Sequence, residues 1–163
     1  MSHSVTIRTQ TVTTGSSSTV LINTGYVKTW SGILKFLQLA LGAVSVGIVG
    51  NQSEYYLRHS NTSELFFLLI ATTFMIGTFI ILLSCLASLS TASILSKTIY
   101  ELIYHSIAFG LLLAASLTLL VHVNNYKSSR NYELLLGASI CGLVNSALYL
   151  FSTIISLRTY RGI

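Results

Sequence analysis

The chain turns from polar to apolar within one stretch, Tyr26-Val27-Lys28-Thr29-Trp30-Ser31-Gly32-Ile33-Leu34-Lys35-Phe36-Leu37-Gln38-Leu39. Two lysines, a tryptophan and a glutamine punctuate it, and beyond Leu39 only Ser45 interrupts an apolar run that reaches Gly50. Residues 29–50 would make a helix about 33 Å long at 1.5 Å per residue, enough to cross a hydrocarbon core about 30 Å thick. Three further runs of the same kind occupy about 64–89, 99–123 and 133–157. None alternates with a period of two, which excludes a membrane barrel. The expectation is an all-α integral membrane four-helix bundle, antiparallel and up-down, with short connections. Proline is absent, so proline-broken helices of the transporter kind are not expected.

Composition points the same way. Apolar residues make up 52% and charged residues 8% of the chain, too little polar surface for a water-facing fold, so the solvent is lipid. The net charge of +5 arises from nine Lys and Arg against four Glu. These cations sit singly at the ends of the runs rather than on one face, so nucleic acid is not expected as a partner. Arg8, Lys28, Lys35, Lys97, Arg158 and Arg161 fall on the side shared by both termini and the middle connection, against Arg58, Lys127 and Arg130 on the other, which places both termini in the cytosol. Two candidate glycosylation acceptors, Asn51 and Asn61, lie in the connection this topology puts outside. Residues 1–28 carry twelve Ser or Thr and too few large apolar side chains to offset ordering entropy, so they read as a disordered cytosolic tail. Residues 158–163 read as a short basic cytosolic tail. Cys85 and Cys141 both fall inside apolar runs as small core residues, and Cys85, nearer a cytosolic end, is a candidate for palmitoylation.

Three glutamates, Glu64, Glu101 and Glu133, open the second, third and fourth helices, where carboxylates suit the positive helix N-terminus; Thr98-Ile99-Tyr100-Glu101 fits a capping box. Glu101 has a second reading. On this topology it lies at the same depth as Lys35, about one turn inside the cytosolic leaflet, where each charge is costly alone and the two are expected to pair. His105 follows Glu101 by four residues and shares its helix face, and Gln38 is read as a bridge between neighbouring helices. Lys35, Gln38, Glu101 and His105 thus form a candidate intramembrane polar network. Neither a phosphate loop, a nucleophile elbow nor a set of metal ligands at coordinating spacing is present, so the chain reads as a non-enzyme without cofactor or metal.

Small residues recur at four-residue spacing: Ala43 and Gly47; Ser84 and Ser88; Ser106, Gly110 and Ala114; Ala138, Gly142 and Ser146. In lipid such stripes allow close backbone approach, so they are expected to line the inside of the bundle, with one, on the fourth helix, as an alternative contact for a partner or a second copy. Tyr26, Trp30, Tyr55, Tyr56, Tyr100, Tyr104, Tyr126, Tyr132 and Tyr160 are expected in the interfacial aromatic belts.

The stretch from Tyr26 to Leu39, with its Gly-Ile-Leu-Lys-Phe-Leu-Gln-Leu core, resembles the start of the first helix in MARVEL-domain proteins, above all the chemokine-like-factor MARVEL transmembrane branch. The likeness covers about residues 25–160 and includes a polar residue early in the third span. It implies a role in membrane trafficking, membrane apposition or junctions, at the plasma membrane or in secretory and endosomal vesicles. The partners it implies are membrane lipids, cholesterol among them, and other integral membrane proteins, with homo-oligomerisation open. A different class of function, a small channel or transporter with a polar path along Lys35, Gln38, Glu101 and His105, stands as the alternative.

Overall fold

In a computed structural model the described residues are 24–56, 62–95, 97–125 and 132–162, and every regular element among them is helical. Four helices are long and apolar enough to span a bilayer: α2 (Trp30–Tyr56), α3 (Thr62–Ala87), α5 (Ile99–Asn125) and α6 (Tyr132–Arg161). Two short ones accompany them, α1 (Thr24–Val27) before the first span and α4 (Leu89–Leu95) between the second and third.

Local chemistry sets the boundaries. The Thr29 hydroxyl accepts a hydrogen bond from the Gly32 amide at 3.2 Å, the N-cap of α2, and donates one to the Tyr26 carbonyl at 2.7 Å, which turns α1 back onto the start of the span. Ser88 interrupts the helix after α3 and caps α4, its hydroxyl accepting from the Thr91 amide at 3.3 Å. At the far end α6 stops at Gly162, whose φ of 73° is the left-handed geometry that ends helices on glycine.

Around the bundle, α2 packs on α3 and α6, and α5 packs on α3 and most extensively on α6. The helices therefore form a ring in which α2 faces α5 and α3 faces α6 across the centre, with little close backbone contact along either diagonal. The apolar core at one level includes Val49, Phe67, Phe74, Ala108, Leu112, Ala115, Leu119 and Ala138, and a second cluster joins Tyr26, Ile81, Leu82, Cys85 and Ala92. Only 33% of the best window of α2, α3 and α5, and 39% of α6, is buried, yet the outward residues are Phe36, Leu69, Ile80, Val121 and Phe151. An outer surface this apolar is compatible with lipid and not with water.

Several expectations are corrected here. Residues 24–28 are not part of an unstructured tail: α1 and its turn fold onto α2 because Tyr26 has a buried place to go; residues 1–23 lie outside the described residues. The first helix runs six residues beyond 50, so Asn51 stands within α2 rather than in a connection, while Asn61 lies outside the described residues. The fourth helix continues past 157 to Arg161.

The small-residue stripes divide. Ala138, Gly142 and Ser146 do face inward, against α5 and α3, whereas Ala43, Gly47, Ser106, Gly110 and Ala114 are exposed and Ser84 and Ser88 half-buried. The inward faces of α2 and α5 carry Gln38, Gly42, Ser45 and Val49, and Glu101, His105, Ala108 and Leu112. Buried polar side chains, which must meet a partner, outrank small size in setting helix rotation.

Candidate functional site

Lys35 lies one turn into α2 and is 1% exposed. An ammonium has three N–H donors and no acceptor, and here all three are used: Nζ donates to Tyr26 Oη at 3.0 Å, to Ser31 Oγ at 2.7 Å and to Glu101 Oε1. Glu101, 3% exposed in the first turn of α5, stands across the bundle, and the long lysine side chain reaches it along that diagonal. The Thr98–Glu101 capping box is therefore not formed. Thr98 Oγ1 donates to the Leu95 carbonyl, and the Glu101 carboxylate turns inward, where an otherwise buried ammonium gains more from it than a helix end does.

His105 Nε2 lies 3.5 Å from the same carboxylate oxygen, and neither of its ring nitrogens has a hydrogen bond. Its ring instead packs against Tyr104, centroids 5.2 Å apart, and Tyr149, 5.8 Å apart. The second diagonal, α3 to α6, is closed by another long side chain. Tyr149 Oη and Tyr104 Oη sit 2.6 and 3.0 Å from Thr78 Oγ1, and both phenols also reach the Phe74 carbonyl. A third group ties α2 to α6: Gln38 Nε2 donates to Ser152 Oγ at 2.8 Å, and Asn145 Nδ2 donates to the Gln38 carbonyl at 3.3 Å. Gln38 Oε1 and Asn145 Oδ1 are buried without a hydrogen bond.

The structure thus brings Lys35, Glu101 and His105 together and sets Gln38 one turn further along α2 on a separate partner. Tyr26 and Tyr104, expected in the aromatic belts, point inward. Among the described residues Trp30, Tyr100 and Tyr160 stand exposed at helix ends, at 78%, 59% and 50%, while the side chains of Tyr55, Tyr56 and Tyr126 lie outside the described residues. Burial raises the Tyr26 phenol above its ordinary range, so it stays protonated beside the lysine. Cys85 is 1% exposed in the cluster that Tyr26 joins, so its thiol is closed to an acyl donor in this arrangement. Sequence reasoning missed Thr78, Asn145, Tyr149 and Ser152. The signal for Asn145 was present, an amide inside an apolar run.

At the other end of the bundle Glu64 of α3 lies 3.9 Å from His122 of α5, beside an open groove of about 450 Å³ lined by Ser63, Leu117, Thr118, Val121, His122 and Asn125. Glu64, 5% exposed, faces the neighbouring helix rather than only crowning its own N-terminus.

Four apolar spans around a buried polar centre define a multi-pass integral membrane protein. The family model for MARVEL, a membrane-associating domain, matches residues 26–155, and the chain belongs to that family. Comparison with curated proteins and with solved structures found no similar chain.

Proposed function

We propose that the protein is a non-catalytic membrane organiser, which stabilises or delivers partner membrane proteins and shapes the membrane at junctions or in trafficking vesicles, as the chemokine-like-factor branch suggested by Tyr26–Leu39 does. In this reading the bundle is antiparallel with both termini in the cytosol. Lys35 meeting Glu101, Tyr26 meeting Cys85 and Gln38 meeting Ser152 all bring the starts of α2 and α5 to the ends of α3 and α6, and the count of Lys and Arg supports the orientation. The observation that carries the proposal is the Lys35 ammonium. Every one of its donors is taken by the protein itself, so the most polar group of the bundle holds helices together instead of offering itself to a passing ion or substrate. What the molecule presents outward is apolar helix surface for lipid and for other spanning helices.

Proximity labelling from the intact chain in cells, followed by affinity purification in mild detergent, tests this reading; it expects integral membrane proteins recovered in amounts that fall when outward residues such as Phe36 or Phe151 are changed. Proton or cation flux into proteoliposomes above empty vesicles, lost in Glu101→Gln, would instead establish the channel alternative.

A further inference from the structure

The segment α1 is four residues long, too short to persist as a helix by itself. Around it Gly25, Val27, Lys28 and Thr29 are all exposed, and Tyr26 alone is buried, at 7%. Its ring enters the cluster of Ile81, Leu82, Cys85 and Ala92 at the end of α3 and in α4, and its hydroxyl supplies one of the three acceptors of Lys35. The backbone of this turn lies directly on Gly32. A β-carbon at Gly32 would overlap the Tyr26 carbonyl oxygen and stand 3.1 Å from Val27 Cα, so only glycine lets the segment seat. The Tyr26 side chain, with its hydroxyl against Lys35 and Ser31, the Thr29 hydroxyl on the Tyr26 carbonyl and the Gly32 contact thus hold a short surface segment over an otherwise closed ion pair.

We propose that α1 is a strap that opens as a unit, with Tyr26 as the one buried side chain among its described residues, and that its opening admits solvent to Lys35, Glu101 and Cys85 while the four-helix bundle stays folded. Segments with few buried contacts are the ones that open locally below the global unfolding free energy. Because the strap follows residue 23 directly, a force or partner acting on the N-terminal residues reaches the intramembrane ion pair through Tyr26. Cys85, 1% exposed beneath the ring, is the built-in reporter.

The test is the rate of N-ethylmaleimide labelling of Cys85 in the full chain, reconstituted in nanodiscs with Cys141→Ser. Gly32→Ala leaves every strap side chain intact but pushes its backbone away, and Tyr26→Phe removes only the hydroxyl. A second reporter, Ala115→Cys in a background lacking both native cysteines, reads opening of the bundle centre, where Ala115 is fully buried. Gly32→Ala is expected to speed Cys85 labelling on the order of tenfold or more, and Tyr26→Phe severalfold, with labelling at Ala115→Cys unchanged. Unchanged Cys85 labelling in both variants, or a matching rise at Ala115→Cys, overturns the strap.

Discussion

Replacing Lys35 by leucine removes the ammonium and leaves the Glu101 carboxylate 3% exposed, with His105 Nε2 at 3.5 Å as its remaining charged or chargeable neighbour. Breaking a buried pair in this way costs about 3–5 kcal/mol, because the surviving charge keeps its desolvation penalty and loses its compensation. At about 1.36 kcal/mol per tenfold, that is roughly a 150- to 5,000-fold fall in the folded-to-unfolded ratio. Glu101→Leu should lie toward the lower end, since the ammonium it strands keeps two neutral acceptors, Tyr26 Oη and Ser31 Oγ. The double variant removes both desolvation penalties with the attraction, and such replacements run from neutral to about 1–4 kcal/mol stabilising. The coupling energy, the double variant's effect less the sum of the two single ones, should therefore be about 6 kcal/mol or more. An ordinary interhelical hydrogen bond in a membrane protein averages about 0.6 kcal/mol and reaches about 1.7, so the two explanations separate cleanly. Reversible denaturant titration in mixed micelles, followed by circular dichroism, measures all four corners of the cycle, and surface delivery of tagged chains provides a cellular check. A double variant no more stable than the worse single variant would refute the reasoning, since it would mean that neither charge was burdened by the loss of the other.

Other substitutions probe the remaining layers. At Gly142 a β-carbon would overlap Ser116 Oγ and stand 2.6 Å from the fully buried Phe67 ring, so Gly142→Ala should destabilise the bundle by about 1–3 kcal/mol; Gly110, with open space around it, should accept alanine with a gain of up to about 1 kcal/mol, and equal effects in the same titration would contradict the assigned helix rotations. Thr78→Val keeps the shape but takes away the hydroxyl shared by Tyr104 and Tyr149, and should cost about 0.6–1.7 kcal/mol; a Thr78→Ser variant close to wild type would tie the loss to the hydroxyl. Because Cys85 is buried among Tyr26, Ile81, Leu82 and Ala92, acyl exchange on the wild-type chain from cells should detect no acyl group that Cys85→Ser abolishes.

Much of the architecture was legible in the chain because it depends on local properties. Four apolar runs of spanning length, few charges and no alternation leave one class of solution in lipid, and Lys35 and Glu101 could be matched because each sits a short way into its run and is costly alone. Rotation about each helix axis was a different matter. The spans are apolar on nearly every side, so no polar face marks the outside, and the spacing of small residues misassigned Ala43, Gly47, Ser106, Gly110 and Ala114 to the interior.

Only the tertiary structure decided that the Lys35–Glu101 pair closes one diagonal of the ring and that Tyr149 closes the other on Thr78. It also decided that Tyr26, by sequence an interfacial anchor, turns back to share the lysine. The physical reason is that a hydrogen-bond partner is a position in space rather than a pattern along the chain. Hydropathy along the sequence determined that these residues would be in the membrane; the packing of four helices determined what each would find there.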